Sequence, residues 1–179
     1  ADYICYVDAN NGELLMRINT VLYEAPPVAN VHVEGEVYTT HPYNPSSVED
    51  FTSLRVQKNG SNYYTDNLGN VNVPGTGNAT FSLEGLFTEV QTNNNTPLFS
   101  SNLSNTNVTF DNLNSTIQER TAFYAVNKIH GHLKSVFPTF TGLDYAIETN
   151  IDVQGSCNAY YNGTINFYAE GNGCNATAK

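Results

Sequence analysis

The first half of the chain contains strand-like runs of apolar and polar residues. In the clearest run, Val31-His32-Val33-Glu34-Gly35-Glu36-Val37-Tyr38, the two types alternate over most positions, as in a strand with one face in water. Strand patterns cover residues 31–39, 51–58, 62–65 and 80–90, and turn sequences such as Lys58-Asn59-Gly60-Ser61 separate them. We expect these segments to form one antiparallel sheet system.

The opening residues predict a separate hairpin. Apolar residues at positions 3–7 and 14–18 flank Asn11-Gly12, a pair that accepts the positive φ of a tight turn. Pro26-Pro27 then interrupts the chain, because proline cannot donate a hydrogen bond to a strand ladder. We therefore expect a hairpin unit at residues 1–25 and a β-rich subdomain at residues 26–114.

One helix is expected, over residues 116–136. Asn114 or Ser115 is the expected N-cap, Pro138 ends the helix, and its apolar positions recur two to four residues apart: Ile117, Phe123, Tyr124, Val126, Ile129, Leu133 and Val136. Residues 92–114, rich in Asn, Ser and Thr, are expected to be turns or a long loop, whereas a strand at 145–153 and a strand or hairpin at 159–169 follow the helix. The third unit is thus 115–179. The expected fold class is α+β, mainly β, with antiparallel sheets and one long helix.

Composition and charge narrow the choice of partners. Twelve Tyr, nine Phe and 26 Asn favour twisted strands joined by Asn-rich turns. A net charge of −10 would repel nucleic acid and anionic membranes, and no apolar run approaches the roughly 20 residues that cross a bilayer. We expect a soluble chain that neither binds nucleic acid nor inserts into membranes. Because its first residue is Ala1 and not Met, we expect that an upstream portion was removed.

The three cysteines predict one disulfide. Cys157 and Cys174 bracket a segment that reads as two short strands and a turn. A bridge across such a loop would stabilise the fold by roughly 3 kcal/mol in an oxidising compartment, and two buried thiols are the alternative. Cys5 lies between Ile4 and Tyr6 and is expected to be unpaired and buried in a strand.

The titratable residues form no self-sufficient catalytic set. His130 and His132 are two apart on the expected helix, so they point to different faces and lack the i, i+4 spacing that grips zinc. His32 and His41 are expected to be surface or packing residues. No H-E-x-x-H, G-x-S-x-G or Gly-rich phosphate loop occurs. Three acidic residues occur at every fourth position, and we expect them to lie on a solvated face: Asp144, Glu148 and Asp152.

Three segments resemble parts of one known family. The run Cys157-Asn158-Ala159-Tyr160-Tyr161-Asn162-Gly163, with the strand and Gly-rich turn after it, resembles the Asn-Ala-Phe-Trp-Asn-Gly region of thermolysin-like metallopeptidases. Upstream, residues 121–134 (TAFYAVNKIHGHLK) look like the helix that precedes this strand in the fungalysin type. The opening hairpin is similar to the last hairpin of the inhibitory propeptides of such enzymes. The chain thus resembles the end of a propeptide followed by the N-terminal half of a catalytic domain, truncated before the H-E-x-x-H helix.

The resemblance implies a secreted zinc metalloendopeptidase whose substrate lies as an added antiparallel strand on an exposed sheet edge. It implies that the Ala159 carbonyl accepts from a substrate N–H, that the Asn158 amide holds substrate main chain, and that Tyr160 and Tyr161 shape the cleft. Without the resemblance, Asn158 would cap a turn and the tyrosines would pack in a core.

In such an enzyme the zinc and the catalytic residues belong to the parent protein. We therefore expect no catalytic residue and no zinc site in this chain, which alone should neither bind zinc nor hydrolyse peptides. Its expected partners are a peptide or protein substrate and the remaining catalytic half of the same peptidase.

Two other functions are compatible with the sequence. A secreted β-sandwich module could bind glycan or protein through Tyr63, Tyr64 and the Asn-rich loops. A natural inhibitor, built from a propeptide and a cleft wall, would bind a complete peptidase. The residues after Lys179 in the parent gene would discriminate, because a helix with H-E-x-x-H supports the peptidase whereas a stop codon or an unrelated linker supports the module.

Overall fold

A computed structural model describes residues 3–19, 26–40, 44–155 and 158–171. The described chain is mainly β with one helix, which confirms the predicted class of α+β, mainly β. Its elements in chain order are β1 (Tyr3–Val7), β2 (Leu14–Asn19), β3 (Val28–Val37), β4 (Ser47–Asp50), β5 (Leu54–Lys58), β6 (Ser61–Tyr64), β7 (Asn70–Pro74), β8 (Asn78–Gly85), β9 (Thr88–Thr92), β10 (Leu98–Asn102), β11 (Asn107–Phe110), α1 (Ile117–Val136), β12 (Ile147–Val153), β13 (Ala159–Tyr161) and β14 (Ile165–Tyr168).

Strands β1 and β2 form a two-stranded sheet of their own, as the sequence predicts. In the turn between them, the Gly12 N–H donates to the Asp8 carbonyl and the Asp8 N–H donates to the Glu13 carbonyl. Every side chain of β1 is exposed, including the free thiol of Cys5. The prediction that Cys5 is buried is therefore wrong, because two strands alone leave both faces of a hairpin in solvent.

Two larger sheets replace the single antiparallel system that the sequence predicts. One has eight strands in the order β13-β14-β12-β9-β8-β5-β6, with β10 also on β8, and the other has four in the order β11-β3-β4, with β7 also on β3. Three pairs, β11-β3, β12-β9 and β12-β14, are parallel. The prediction of one sheet is wrong because Val31, Val33 and Val37 of β3 share one core with Val56 and Phe81 of the other sheet, so the sheets pack face to face.

Strand boundaries also differ from the sequence prediction. The expected strand at 80–90 is two strands, β8 and β9, and Gly85 at the end of β8 passes so close to Ser53 that a Cβ would lie 2.1 Å from the Ser53 carbonyl oxygen. The segment 92–114, expected to be turns or a long loop, contains β10 and β11. Phe99 and Phe110 order this polar stretch, since their rings meet edge to face at 4.9 Å beside the core. Strands β4 and β7 are likewise missing from the prediction.

Helix α1 begins one residue later than predicted and ends where predicted, but its N-cap differs. The Thr116 hydroxyl accepts from the Glu119 N–H at 3.3 Å, and the Glu119 carboxylate accepts from the Thr116 N–H at 2.7 Å. This reciprocal capping box makes Thr116 the N-cap. The prediction of Asn114 or Ser115 is wrong because both side chains bond back to the main chain of Asp111.

The two halves of α1 have different surroundings. In the first half, Arg120 bonds the Glu36 carbonyl of β3, Glu119 bonds Thr92 of β9, and Phe123 packs on Phe51 with ring centroids 5.3 Å apart. Arg120 is the largest fully buried side chain and lies in the same half. The second half carries exposed apolar side chains, Ile129 and Val136 among them. The helix thus joins the sheets at its start and presents an apolar surface near its end.

Candidate functional site

Strand β13, which carries three of the four predicted substrate-binding residues, is an edge strand of the eight-stranded sheet. It pairs in antiparallel register with β14, with Tyr160 opposite Asn166. Gly163, at a φ of +107°, forms part of the short turn between the two strands. No other strand pairs with β13 in the described ranges, and with respect to those residues one margin of the strand is open.

Two main-chain bonds fix the ends of β13 against β14. The Asn158 carbonyl accepts from the Tyr168 N–H at 3.0 Å, and the Asn162 N–H donates to the Thr164 carbonyl at 3.2 Å. In an antiparallel ladder, residues two apart direct their main-chain groups to the same side. These bonds therefore show which residues of the strand face inward.

The main chain of Tyr160 points inward, because this residue lies midway between the two bonded ends. Ala159 and Tyr161 consequently direct their main-chain groups away from the sheet. The Ala159 carbonyl and both main-chain groups of Tyr161 have no partner among the residues that the structure describes. The predicted acceptor of a substrate N–H, the Ala159 carbonyl, is thus one of these outward groups.

Asn158 immediately precedes β13 and is exposed. The Ala159 N–H donates to its side-chain oxygen, Oδ1, at 2.9 Å. The amide nitrogen of the same side chain bonds no residue in the described part of the chain. Asn158 therefore blocks one outward N–H of the edge strand, and its two amide hydrogens are unbonded with respect to the residues that the structure describes.

Tyr160 and Tyr161 leave β13 on opposite faces of the sheet. Tyr160 is 39% exposed and meets Tyr168 with ring centroids 5.6 Å apart. Tyr161 is 63% exposed, and the proximity of its hydroxyl raises the pKa of Tyr145. Neither tyrosine packs in the core, so both contribute to the surface beside the open margin.

A ladder of amide side chains supports the edge on the face to which Tyr160 projects. The Asn150 amide donates to Asn166 Oδ1 at 3.1 Å, and the Asn166 amide donates to Asn162 Oδ1 at 3.1 Å. Asn166 is buried and also donates to the Thr164 carbonyl at 2.9 Å. These bonds join β12, β14 and the turn after β13, so they hold the edge strand in place against the rest of the sheet.

On the other face, an apolar cavity of about 140 Å³ lies between α1 and the sheet. Ile165, the cross-strand partner of Tyr161, lines it together with Phe87, Val126, Ile129, His130, Leu143 and Ile147. Beyond the cavity the surface is still apolar and carries exposed side chains at Val136, Phe137, Phe140 and Tyr145. The edge strand therefore borders a broad apolar surface.

His130 serves the packing of α1. It is 8% exposed, stacks on Phe87 with ring centroids 3.5 Å apart, and bonds Asp144 Oδ1 through Nε2 at 2.8 Å. Lys134 donates to the other Asp144 oxygen at 2.8 Å. The hydrogen bond from Lys134, and to a smaller extent that from His130, lowers the pKa of Asp144. All three acidic residues are exposed, as expected, but Asp144 precedes β12 and bonds α1, so it does not lie on the strand that carries Glu148 and Asp152.

The other histidines and the predicted disulfide cysteines either lie far from one another or fall outside the described residues. His32 Nε2 lies 3.3 Å from Asp50 Oδ1, and His132 is exposed. His41 lies outside the described residues, as does the predicted Cys157–Cys174 bridge. In the part of the chain that the structure describes, no group of three or more His, Cys, Asp or Glu side chains could hold a metal ion, so these residues do not fit a zinc site.

Sequence reasoning found the edge strand but missed its neighbours. The Asn162-Gly163 turn contained a usable signal, since a tight turn fixes which residues of two strands stand opposite each other. That register would have placed Asn166 beside Tyr160. Tyr145 gave no comparable signal, because its contact with Tyr161 depends on how the segment before β12 returns to the sheet.

No helix in the described ranges combines the length and the apolarity that crossing a membrane requires. Comparison of the chain with protein-family models, with curated proteins and with solved structures found no match.

Proposed function

We propose that this chain forms the substrate-binding wall of a secreted zinc metallopeptidase of the thermolysin-like, fungalysin type, where an extended peptide pairs with the open margin of β13. The observation that carries the proposal is the outward main chain of Ala159 and Tyr161 at the edge of the eight-stranded sheet. Pairing through main-chain groups gives affinity without demanding a side-chain sequence, which suits an enzyme that acts on many polypeptides.

The register of β13 defines how an antiparallel peptide would pair. A peptide residue opposite Tyr161 exchanges two hydrogen bonds with its N–H and carbonyl, and a residue opposite Ala159 donates to its carbonyl. Peptide residues between these positions direct their own main chain away from the strand. Tyr160 and Tyr161 flank the added strand on its two faces, and the free amide of Asn158 lies at its end.

The zinc ligands and the catalytic groups are assigned, in this proposal, to the remaining catalytic half of the parent protein. The exposed apolar surface at Val136, Phe137 and Phe140 suits a partner that would cover it. The hairpin at residues 1–25 would be the end of an inhibitory propeptide. We expect the pure 179-residue chain to show no chelator-sensitive proteolysis, and detection of such activity would contradict this division of roles.

The variant Tyr161→Pro tests the edge directly. Proline removes the outward N–H of residue 161 and leaves the inward bonds of β13 in place. We expect the affinity for a fluorescent six-residue peptide of alternating Val and Thr to fall about tenfold, as measured by fluorescence anisotropy.

The matched control is Tyr161→Ala, which removes the same ring but keeps the N–H. If the two variants bind the peptide equally well, main-chain pairing at Tyr161 is wrong. The parent gene offers an independent check, since residues after Lys179 that read as a helix with H-E-x-x-H would support the peptidase.

A secreted binding module for glycan or protein is the second candidate. It is favoured by the open sheet face, where Tyr160 and Tyr168 adjoin a row of amide side chains. Tyr63 supports it less, because this ring packs against the core, whereas Tyr64 is exposed. Glycan binding that Tyr160→Ala abolishes and Tyr161→Pro leaves intact would favour the module over the peptidase.

A further inference from the structure

We propose that Asn158 is a releasable cap on the open margin of β13, whose side-chain oxygen holds the Ala159 N–H until a peptide carbonyl replaces it. The replacement step rests on the proposed function, whereas the cap itself does not. The contact that carries the inference is the 2.9 Å hydrogen bond from the Ala159 N–H to Asn158 Oδ1.

The main chain of Asn158 is held while its side chain is free to move. Its carbonyl accepts from the Tyr168 N–H at 3.0 Å, which anchors the residue to β14. Its side chain is exposed and makes one bond among the described residues, the bond to Ala159. Rotation of the side chain therefore costs one hydrogen bond and leaves the strand pairing unchanged.

Capping is useful because an open strand edge can pair with any other exposed strand. With the cap in place, β13 offers two acceptors and one donor: the carbonyls of Ala159 and Tyr161, and the Tyr161 N–H. Release adds the Ala159 N–H, so that a peptide residue opposite Ala159 can then exchange two bonds in place of one. The displaced Asn158 amide, with both a donor and an acceptor, remains able to bond the same peptide.

Amide hydrogen exchange of the full 179-residue chain, read by NMR, tests the cap. Ala159 and Tyr161 form a matched pair, because both N–H groups point outward and only the first is bonded. We expect Ala159 to exchange about three- to tenfold more slowly than Tyr161, each relative to its unstructured rate. Asn158→Ala should remove this difference, and Asn158→Asp should keep it because a carboxylate still accepts.

The Tyr168 N–H reports whether the strand stays paired, since it donates to the Asn158 main chain. Faster exchange at Ala159 with Tyr168 still protected supports the cap. Loss of protection at both amides would mean that the strand frays, and equal rates at Ala159 and Tyr161 in the unaltered chain would mean that no cap exists. Either result overturns the proposal.

Saturation with the alternating Val-Thr peptide separates the cap from the proposed function. We expect the peptide to slow exchange at Tyr161 in every variant and to restore slow exchange at Ala159 in Asn158→Ala. If the peptide slows neither amide while the cap effect is present, the proposed function fails and the cap stands. If Tyr161 slows but Ala159 in Asn158→Ala stays fast, the replacement step is wrong.

Discussion

The start of α1 and the open margin of β13 differ in how far their hydrogen-bonding groups are satisfied within the fold. At the start of α1, Arg120 is 0% exposed, and all three nitrogens of its guanidinium donate to neighbouring residues. At β13, Ala159 and Tyr161 direct main-chain groups away from β14, and no described residue bonds the Ala159 carbonyl or either main-chain group of Tyr161. Satisfied buried groups stabilise a fold, whereas open ones are available to a partner. Changes at the first region should therefore alter stability and leave peptide binding intact, and changes at the second should do the reverse.

The largest expected effect on stability is that of Arg120→Met. The side chain donates to the carbonyls of Glu36 and Ser115 at 2.8 Å and 2.7 Å, and to Asn112 Oδ1 at 2.9 Å. Methionine fills much of the volume but leaves these acceptors buried without a donor. We expect the free energy of unfolding in urea to fall by about 3 to 5 kcal/mol.

Arg17→Met is the control for the loss of an arginine. Arg17 is exposed and lies over the Tyr3 ring, 3.6 Å from its centroid, in the β1–β2 hairpin. Its replacement should change the free energy of unfolding by less than about 0.5 kcal/mol. Similar losses in the two variants would show that burial of Arg120 does not set the stability of this region.

A smaller effect is expected for Thr116→Ala, which opens the capping box at the start of α1. The variant loses the acceptor for the Glu119 N–H and should lower the free energy of unfolding by about 1 kcal/mol. Thr141→Ala removes an exposed threonine beyond the end of the helix and should change it by less than about 0.5 kcal/mol. Both variants should bind the Val-Thr peptide as the unaltered chain does, and weaker binding by Thr116→Ala would break the contrast between the two regions.

These two regions also show what the sequence can and cannot predict. The helix is found to within one residue because its apolar positions have helical spacing and Pro138 follows it. Its N-cap is not found, because Asn114, Ser115 and Thr116 are all competent and the choice depends on bonds to Asp111. Local pattern gives the class of element, and tertiary contacts choose among equivalent local solutions.

The sheets follow the same rule. Alternation in β3 predicts correctly that Val31, Val33 and Val37 share a buried face, yet it contains no information on which strands cover them. The division into two facing sheets therefore escapes prediction. At the candidate site, the strand at Ala159–Tyr161 is predicted, whereas its contact with Tyr145 is not, because the two tyrosines are brought together only by the path of the chain.

The smallest expected effect on the free energy of unfolding is that of Asp144. Its carboxylate bonds His130 and Lys134 and so joins α1 to the segment before β12. Hydrogen bonds from Lys134, and then from His130, lower the pKa of Asp144 in the folded chain. Such a carboxyl contributes stability above its unfolded pKa of about 4, and this contribution is lost as the pH falls through the lower folded pKa.

Asp144→Asn lacks this contribution, so its urea midpoint should fall less steeply than that of the unaltered chain between about pH 5 and about pH 2. The difference should be smaller than that of Thr116→Ala because the Asp144 bridge faces water. Lys134→Met removes the Lys134 hydrogen bond, the largest cause of the lowered Asp144 pKa. This variant should also flatten the dependence of the urea midpoint on pH between about pH 5 and about pH 2. Parallel curves for all three proteins would show that the bridge adds nothing to stability, and that the apolar contacts of His130 alone hold this half of α1 beside the open edge.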